Sequence, residues 1–510
     1  MELKKYKLGD IAKIEISGVD KKSVDGETPV RLCNFVDVYR NWAITQKLSE
    51  NFMIASAKET EIVKCSIHKG QVAITKDSET RDDIGIPAYI ADDFDNVLLG
   101  YHCALITPND DVLDGKYLNA FMHTRYIQKY FENNASGSGQ RYTLSNETIF
   151  QIPILLPSLE VQKAIGNLLS NIDRKIELNH QINDNLEAMA KQLYDYWFVQ
   201  FDFPNVEGKP YKSSGGAMVW NEKLKREIPI SFDVKSLSEI IEVKDGTHDS
   251  PKPQDNGYFL LTSKHLTERG LDYASAYKIS KEDYESINKR SKVDTNDILF
   301  SMIGTIGNSY FVEETNINFA IKNMALFKTS AKQWFSEYLY LYLSSCDYKH
   351  YEGNSLSGSI QKFVSLRTLR DMPILYHEDI IKVFAKEVRN IITMMVNLRK
   401  ENIELTKQRD ELLPLLMNGQ ASVNYHLSKW SIGFLCLDMH IEYDKDIVQK
   451  EADKQDFNPL VRKPYSFTFF KHTSYPFFMF LLQFKLFVTM SHKLPTDFHN
   501  KVHTNVVQRF

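Results

Sequence analysis

Cysteine is scarce and scattered in this 510-residue chain: Cys33, Cys65, Cys103, Cys346 and Cys436 form no CxxC pair and no zinc-ligand spacing. An odd, unpatterned set argues against a disulfide-framed secreted domain and fits a reducing compartment, so a cytoplasmic location is expected. Neither sign of charge prevails, because 62 Lys and Arg stand against 66 Asp and Glu for a formal charge of −4. That balance excludes a strong global positive field, and any contact with phosphates has to come from local basic patches. The opening MELKKYKLGD lacks the apolar core of a signal peptide, so export is not expected. Missing too are a G-x-x-x-x-G-K-S/T phosphate loop, an H-E-x-x-H zinc motif and the Asn-Pro-Pro-aromatic motif of amino-methyltransferases. Asp233 with Glu242, Val243 and Lys244 imitates the carboxylate-carboxylate-lysine set of metal-dependent nucleases, but such triplets arise readily by chance in a chain that is 25% charged. Ser136-Gly137-Ser138-Gly139 follows no clear strand and reads as a turn rather than a phosphate cradle.

What the chain does contain is itself, twice. Ala104-Leu105 matches Ala325-Leu326, Tyr117-Leu118 matches Tyr338-Leu339, and Gly137-Ser138 matches Gly358-Ser359, all at one constant separation. Pro153 then meets Pro373 one residue closer and Asn183 meets Asn402 two closer, while Leu8 meets Leu237 at a larger separation. Near-constant separation with a drifting middle is the mark of two copies of one domain whose loops have diverged, and each copy is long enough to bury its own core. In each, GQVAITK (Gly70 to Lys76) and NDILFSM (Asn296 to Met302) read as matched strands, and KYLNAFMHTRYIQKYFENN and EYLYLYLSSCDYKHYEG carry apolar residues at helical spacing. The fold class expected is α+β, built as a pseudo-two-fold internal repeat.

After each unit comes a long helical pattern. From Ser158 about 40 residues run without Pro and with one glycine, Gly166. Its apolar seam is Ile165, Leu169, Ile172, Ile176, Asn179, Asn183, Leu186, Ala190, Leu193 and Trp197, the alternating four-three spacing of a coiled coil. The second seam is Phe384, Val388, Ile391, Met395, Leu398, Asn402, Leu405, Arg409, Leu412 and Leu416. The economical partner for one seam is the other, as antiparallel helices about 60 Å long, and the matched Asn183 and Asn402 are candidates for fixing register. The divisions expected are a first unit at 1–157, a spacer helix at 158–200, a linker at 201–232, a second unit at 233–375, a second spacer helix at 376–418 and an extension at 419–510. In that extension YPFFMFLLQFKLFVTM (Tyr475 to Met490) is apolar, but Gln483 and Lys485 interrupt it and it is shorter than the ~20 residues a membrane helix needs. No membrane partner is expected.

Two similar domains carried by a rigid rod make a two-site ruler, and DNA, with half-sites at fixed spacing on a stiff duplex, is its natural object. A stand-alone DNA-binding regulator, a coiled-coil scaffold and a nuclease acting alone with Mg²⁺ remain open on the residues alone. The phrases FDFPNVEGKPYKSSGGAMVWNEKLKREIP, IPILLPSLEVQKAIGNLLSNIDRKIELN and QRDELLPLLMNGQASV resemble a type I restriction-modification specificity subunit over roughly residues 1 to 423. The resemblance implies two target-recognition domains separated by two spacer helices, each domain reading half of a bipartite, asymmetric site in double-stranded DNA. It also implies two modification (methyltransferase) subunits that bring S-adenosylmethionine, and restriction subunits that bring ATP-driven translocation and Mg²⁺-dependent cleavage, so that this chain has no catalysis of its own. A buried adenine has to be flipped out for methylation, and a partner would do it. The stretch beyond Asn424 departs from the family pattern.

Base reading calls for donors and acceptors on rigid loops, and phosphate contacts call for Lys, Arg and small hydroxyls. In the first unit the candidates are Arg31, Asn34, Thr75, Lys76, Tyr101, His102, Gln140 and Arg141. In the second they are Thr247 and His248 in KDGTHDSPK, a loop that resembles a recognition loop of the family, then Ser263, Lys264, His265, Ser301, Thr305, Asn308, Lys322, Asn323, Gln361 and Lys362. No metal ligands are expected, since neither His102 nor His248 has a second His or Cys at ligand spacing.

Overall fold

The computed structural model describes residues 3–20, 22–138, 141–267, 270–355, 363–426 and 438–443. The chain divides into two compact units. One runs to Asn171 and is taken up again at Arg409; the other is Ile172–Gln408.

The first unit is centred on a five-stranded sheet ordered Ala12–Ile16, Cys103–Pro108, Val72–Thr75, Pro87–Ile90 and Ala43–Ile44. All four residues of Val72–Thr75 and of Pro87–Ile90 are buried, because helices and a second sheet of Met53–Ala57, Thr28–Cys33 and Val97–Leu99 leave neither face to water. The entry strand Lys4–Lys7 pairs antiparallel with the exit strand Pro153–Leu156. Helix Gly115–Met122 starts at Asp114, whose carboxylate accepts from the Tyr117 N–H at 2.9 Å, a cap that satisfies an end-of-helix donor. The first long helix, Leu159–Tyr194, leaves from here. Its buried Gln162 donates to the Val112 and Pro157 carbonyls at 3.0 Å and accepts from the Asp114 N–H at 3.0 Å. Gly166 is the point of closest approach. A Cβ there would sit 2.8 Å from Asp114 Oδ1, Lys116 Cβ and Tyr117 N, which explains the one glycine in an otherwise helix-favouring run.

The second unit repeats the plan with a sheet ordered Val243–Asp245, Ala325–Phe327, Ile298–Phe300 and Ser309–Phe311, beside a smaller one of Lys278–Ile279, Tyr258–Thr262 and Phe319–Lys322. Its entry strand Asp233–Ser236 pairs with its exit strand Pro373–Tyr376. The duplication is visible down to single hydrogen bonds: Tyr117 donates to the Leu155 carbonyl at 2.7 Å, and its counterpart Tyr338 donates to the Leu375 carbonyl at 2.8 Å.

The two long helices, the second of which is Glu378–Met417, run antiparallel within the second unit. Asn179 meets Asn402, Leu186 packs with Met395 and Leu398, and Trp197 meets Phe384 at 5.5 Å, so the numbering rises on one helix as it falls on the other. Asn402 faces Asn179 rather than its sequence counterpart Asn183. Antiparallel pairing places equivalent positions at different levels. The Asn179 Nδ2 donates to Asn402 Oδ1 at 2.9 Å and to Glu401 Oε2 at 2.8 Å, while the buried Asn183 Oδ1 has no hydrogen-bond partner.

Two expectations need correction. The stretch 201–232, read as a linker, is packed structure: Phe201, Phe203, Ile228 and Phe232 are buried in one core with Tyr194, Trp197, Phe198, Tyr338 and Phe384, and Met218–Asn221 with Arg226–Pro229 forms a hairpin. Its Gly, Ser and charged residues make turns around an aromatic set large enough to anchor them. Arg409, placed in the apolar seam, instead lays its guanidinium over the Trp42 ring at 4.5 Å. Trp42 in turn stacks on the half-buried His123 at 4.0 Å, and burial together with the Arg409 charge pushes the His123 pKa down to about 3. Around Arg409, Leu412, Leu413, Leu416 and Met417 are buried in the first unit. Tyr475 to Met490 and Cys436 lie outside the described residues.

Candidate nucleic-acid interface

In each unit the strand next to the sheet's first edge strand is entered through a non-glycine residue with left-handed backbone. These are His102, φ 69°, ahead of Cys103–Pro108, and Asn323, φ 55°, ahead of Ala325–Phe327; the two match in the repeat. Asn and His tolerate this conformation better than most residues, but it still costs free energy, and strain of this kind concentrates where a side chain has to be aimed.

In the first unit His102 Nδ1 bonds Asp77, and Arg141 Nη2 lies 2.9 Å from the same nitrogen and 3.4 Å from Asp77 Oδ2. A proton on Nδ1 points to Asp77, which makes the guanidinium a neighbour of the ring rather than a donor to that atom. The Tyr101 ring lies 4.0 Å from that of His102, and the Lys76 N–H donates to the His102 carbonyl at 2.7 Å. Burial pushes the Asp77 carboxyl up, but hydrogen bonds from Thr143 and His102 and the charges of His102 and Arg141 outweigh it and hold the pKa below the ordinary value. Nearby, the Arg81 guanidinium stands over the Tyr142 ring at 5.0 Å.

The second unit gathers more of the expected residues around Asn323. Its Oδ1 lies 2.8 Å from His248 Nδ1, and His248 Nε2 lies 3.2 Å from Asp245 Oδ2, so both ring nitrogens face acceptors. Arg290 bonds the other oxygen of Asp245. Ser263 donates to the Asn323 carbonyl at 2.8 Å, Thr305 to the Ser263 carbonyl at 3.4 Å, and Lys322 bonds Ser250. Asn308 donates to the Leu266 carbonyl at 3.0 Å, and Lys264 is exposed beside Ser263.

Several candidates make hydrogen bonds within the fold. Thr75 and Ser301 are fully buried at matched strand ends; Thr75 Oγ1 accepts from the Ile86 N–H at 2.9 Å and Ser301 donates to the Ile303 carbonyl at 3.0 Å. His265 is buried, its Nδ1 accepts from the Thr262 N–H at 2.8 Å, and burial, aided by the Lys264 charge, pushes its pKa down. Thr247 is buried, and its hydroxyl accepts from the Asp249 N–H at 3.1 Å. Arg31 donates to the Ser49 and Glu50 carbonyls at the end of helix Gln46–Ser49, and Asn34 opens helix Phe35–Arg40. Gln140, Gln361 and Lys362 lie outside the described residues. The nuclease-like triplet is not assembled: Asp233 stands in the sheet with Pro373–Tyr376, while Lys244 lies in another sheet and pairs with Glu242 at 3.2 Å. Sequence reading missed Asp77, Asp245 and Arg290. Their signal is spatial, since 64 positions separate Asp77 from Arg141 and 45 separate Asp245 from Arg290.

A duplicated α+β unit carrying a polar, strained turn in each copy, with two long helices paired antiparallel, defines a protein built to recognise an object at two places. The model of the type I restriction modification DNA specificity domain matches residues 1–188 and 229–376, and the chain belongs to that family. The type I restriction enzyme MjaIX specificity subunit of Methanocaldococcus jannaschii is 26% identical over 382 residues, covering 72% of this chain and 81% of the relative. The HindI specificity subunit of Haemophilus influenzae is 24% identical over 421 residues, covering 70% and 88%. A crystal structure of the type I S subunit from M. genitalium aligns with 82% of this chain and 96% of its own at 14% identity and a TM-score of 0.47, so the assignment rests on the sequence matches. The chain is a specificity subunit, the non-catalytic DNA-recognition component of a type I restriction-modification system. No helix among the described residues is long and apolar enough to cross a membrane.

Proposed function

We propose that this chain reads a split, asymmetric sequence in double-stranded DNA, the first unit taking one half-site through the surface around His102 and the second taking the other through the surface around Asn323. The observation that carries this is the gathering of polar loop residues about one matched left-handed turn in each unit. The loops differ between the copies, as expected of domains that read different bases. Arg141, Lys264, Lys322 and Arg290 supply cations for phosphate or guanine, and Asn323 and His248 supply the mixed donors and acceptors that base edges need. Two modification subunits would methylate adenine where this chain places them, using S-adenosylmethionine, and restriction subunits would bring ATP and Mg²⁺. Such a complex works on cytoplasmic DNA.

The test is exchange of residues 1–157 for the equivalent domain of a relative, in cells that carry the modification subunits, followed by methylome sequencing. One half-site should change and the other persist. A change in both would overturn the modular reading.

A further inference from the structure

An anionic side chain on a surface that meets phosphates repels them, yet each unit places one at its left-handed turn. Side-chain exposure says how. Asp77 is 16% exposed beneath an Arg141 that is 65% exposed, and Asp245 is 13% exposed beneath Arg290 at 60% and His248 at 65%. The acid sits behind and the bases sit in front.

The two acids are not inherited from a common ancestor position. Asp77 lies opposite Thr143, on the short strand Asp77–Ser78 that follows Val72–Thr75, where the second unit has Ile303 bridged to Phe363. Asp245 pairs with Ala325, where the first unit has Ile16 paired with the matched Ala104. A contact retained merely for the fold would occupy the same position in both copies. The same arrangement, a covered carboxylate holding a His and an exposed Arg beside the strained turn, has instead been built twice from different strands.

We propose that Asp77 and Asp245 are positioning residues for DNA recognition, each fixing a His–Arg pair, His102 with Arg141 and His248 with Arg290, in the orientation in which it meets its half-site. This rests on the DNA-reading surface argued above. A free Arg loses much rotamer freedom when it docks, and one held in advance by a carboxylate loses less, so the gain falls on the discriminating contacts. The carboxylate also cancels part of the charge that would otherwise attract any phosphate backbone, which lowers sequence-independent affinity.

The two effects give a signature that a structural role lacks. In the complex with modification subunits, Asp77→Asn should weaken binding to a duplex carrying the methylome-determined site by roughly tenfold. Binding to a duplex with both half-sites scrambled should hold or tighten, and the base preferences of the second half-site should stay unchanged. Asp245→Asn should do the same for the other half-site. A variant that is merely damaged loses both kinds of binding together, and thermal unfolding identifies it; if Asp77→Asn is such a case, Asp245→Asn decides. Arg141→Ala and Arg290→Ala separate the two levels of the argument. If they weaken site binding while both Asn variants discriminate as the parent does, the positioning role is wrong and the DNA surface stands. If the Ala variants also bind as the parent does, the surface itself is wrong.

Discussion

Replacing Asn179 by Leu tests how the helix pair is held. The change removes a donor that serves both Asn402 Oδ1 at 2.9 Å and Glu401 Oε2 at 2.8 Å, and it leaves the Asn402 carbonyl oxygen buried without that bond. An abandoned buried acceptor costs about 1–3 kcal/mol, and the added apolar surface returns only part of it. Asn402→Leu costs less, because Asn179 keeps Glu401. The double Leu variant leaves neither amide facing an apolar partner, although Glu401 loses its donor, and should be destabilised by less than the sum of the two single changes, giving a favourable Asn179–Asn402 coupling of about 1–2 kcal/mol. Asn183 is the control: its Oδ1, like that of Asn179, lacks a partner, but no hydrogen bond joins it to Asn402, so Asn183→Leu should stabilise by about 1 kcal/mol and combine additively with Asn402→Leu. Global unfolding of a chain with two units is not a single transition, so the assay is hydrogen exchange of amides in 172–190 and 391–408, which reads local opening free energies. Additivity of Asn179→Leu with Asn402→Leu, or strong coupling of Asn183 to Asn402, would refute the facing arrangement.

Three further outcomes follow from the packing. Burial, against the opposing charges of Lys400 and Arg399, raises the Glu313 pKa to about 8; the folded state therefore keeps a proton that the unfolded state releases above about pH 4.5, and stability should fall as pH rises through pH 5–8, by about 2–3 kcal/mol in total with its partial exposure allowed for. Glu313→Gln should flatten that slope in a pH series of unfolding midpoints. Gly166→Ala should destabilise the first unit by about 1–3 kcal/mol in denaturant titration although alanine favours helix, because the new Cβ meets backbone at 2.8 Å. Deleting the facing heptads Asp173–Asn179 and Asn402–Gln408 should shorten the unread gap of the methylated motif by about three base pairs if helix length sets that gap, at ~1.5 Å per residue and ~3.4 Å per base pair; deletion of the sequence-equivalent heptads Ile172–Leu178 and Ile391–Asn397, which do not face each other, should abolish methylation.

The repeat and the seams were legible because each is a periodic signal. Matched residues such as Tyr117 and Tyr338 stand at one separation, and the structure gives them the same hydrogen bond. A seam's period names the residues in a stripe but not the level at which two stripes meet, so the repeat marks Asn183 and Asn402 as equivalent register positions without showing that Asn402 faces Asn179. Thr75 and Ser301 look like surface donors only if a strand has a wet face, and here the central strand has none. Phe201 and Phe203 were hidden among turn-forming residues whose composition outvotes them locally. The carboxylate clamps could not be read at all, because a pair such as Asp77 and Arg141 comes from two short strands far apart in the sequence and has no local pattern.

The division of the chain carries a consequence for every domain exchange. The first long helix starts in the first unit and ends in the core of the second, where Tyr194, Trp197 and Phe198 are buried. The second starts in the second unit and ends in the first, where Leu412, Leu416 and Met417 are buried. Each unit is thus completed by the far end of the other copy's helix, and neither sequence repeat alone contains all of a unit's core. Exchange of residues 1–157 leaves Arg409 to face whatever replaces Trp42, and leaves His123 or its substitute under that cation. A donor domain with an aromatic residue at the Trp42 position keeps the cation–π contact; one with an aliphatic residue there leaves Arg409 only its other partners, the Asp410 carboxylate at 3.0 Å among them, and a weakened assembly would reflect that lost contact rather than any fault in the half-site it carries.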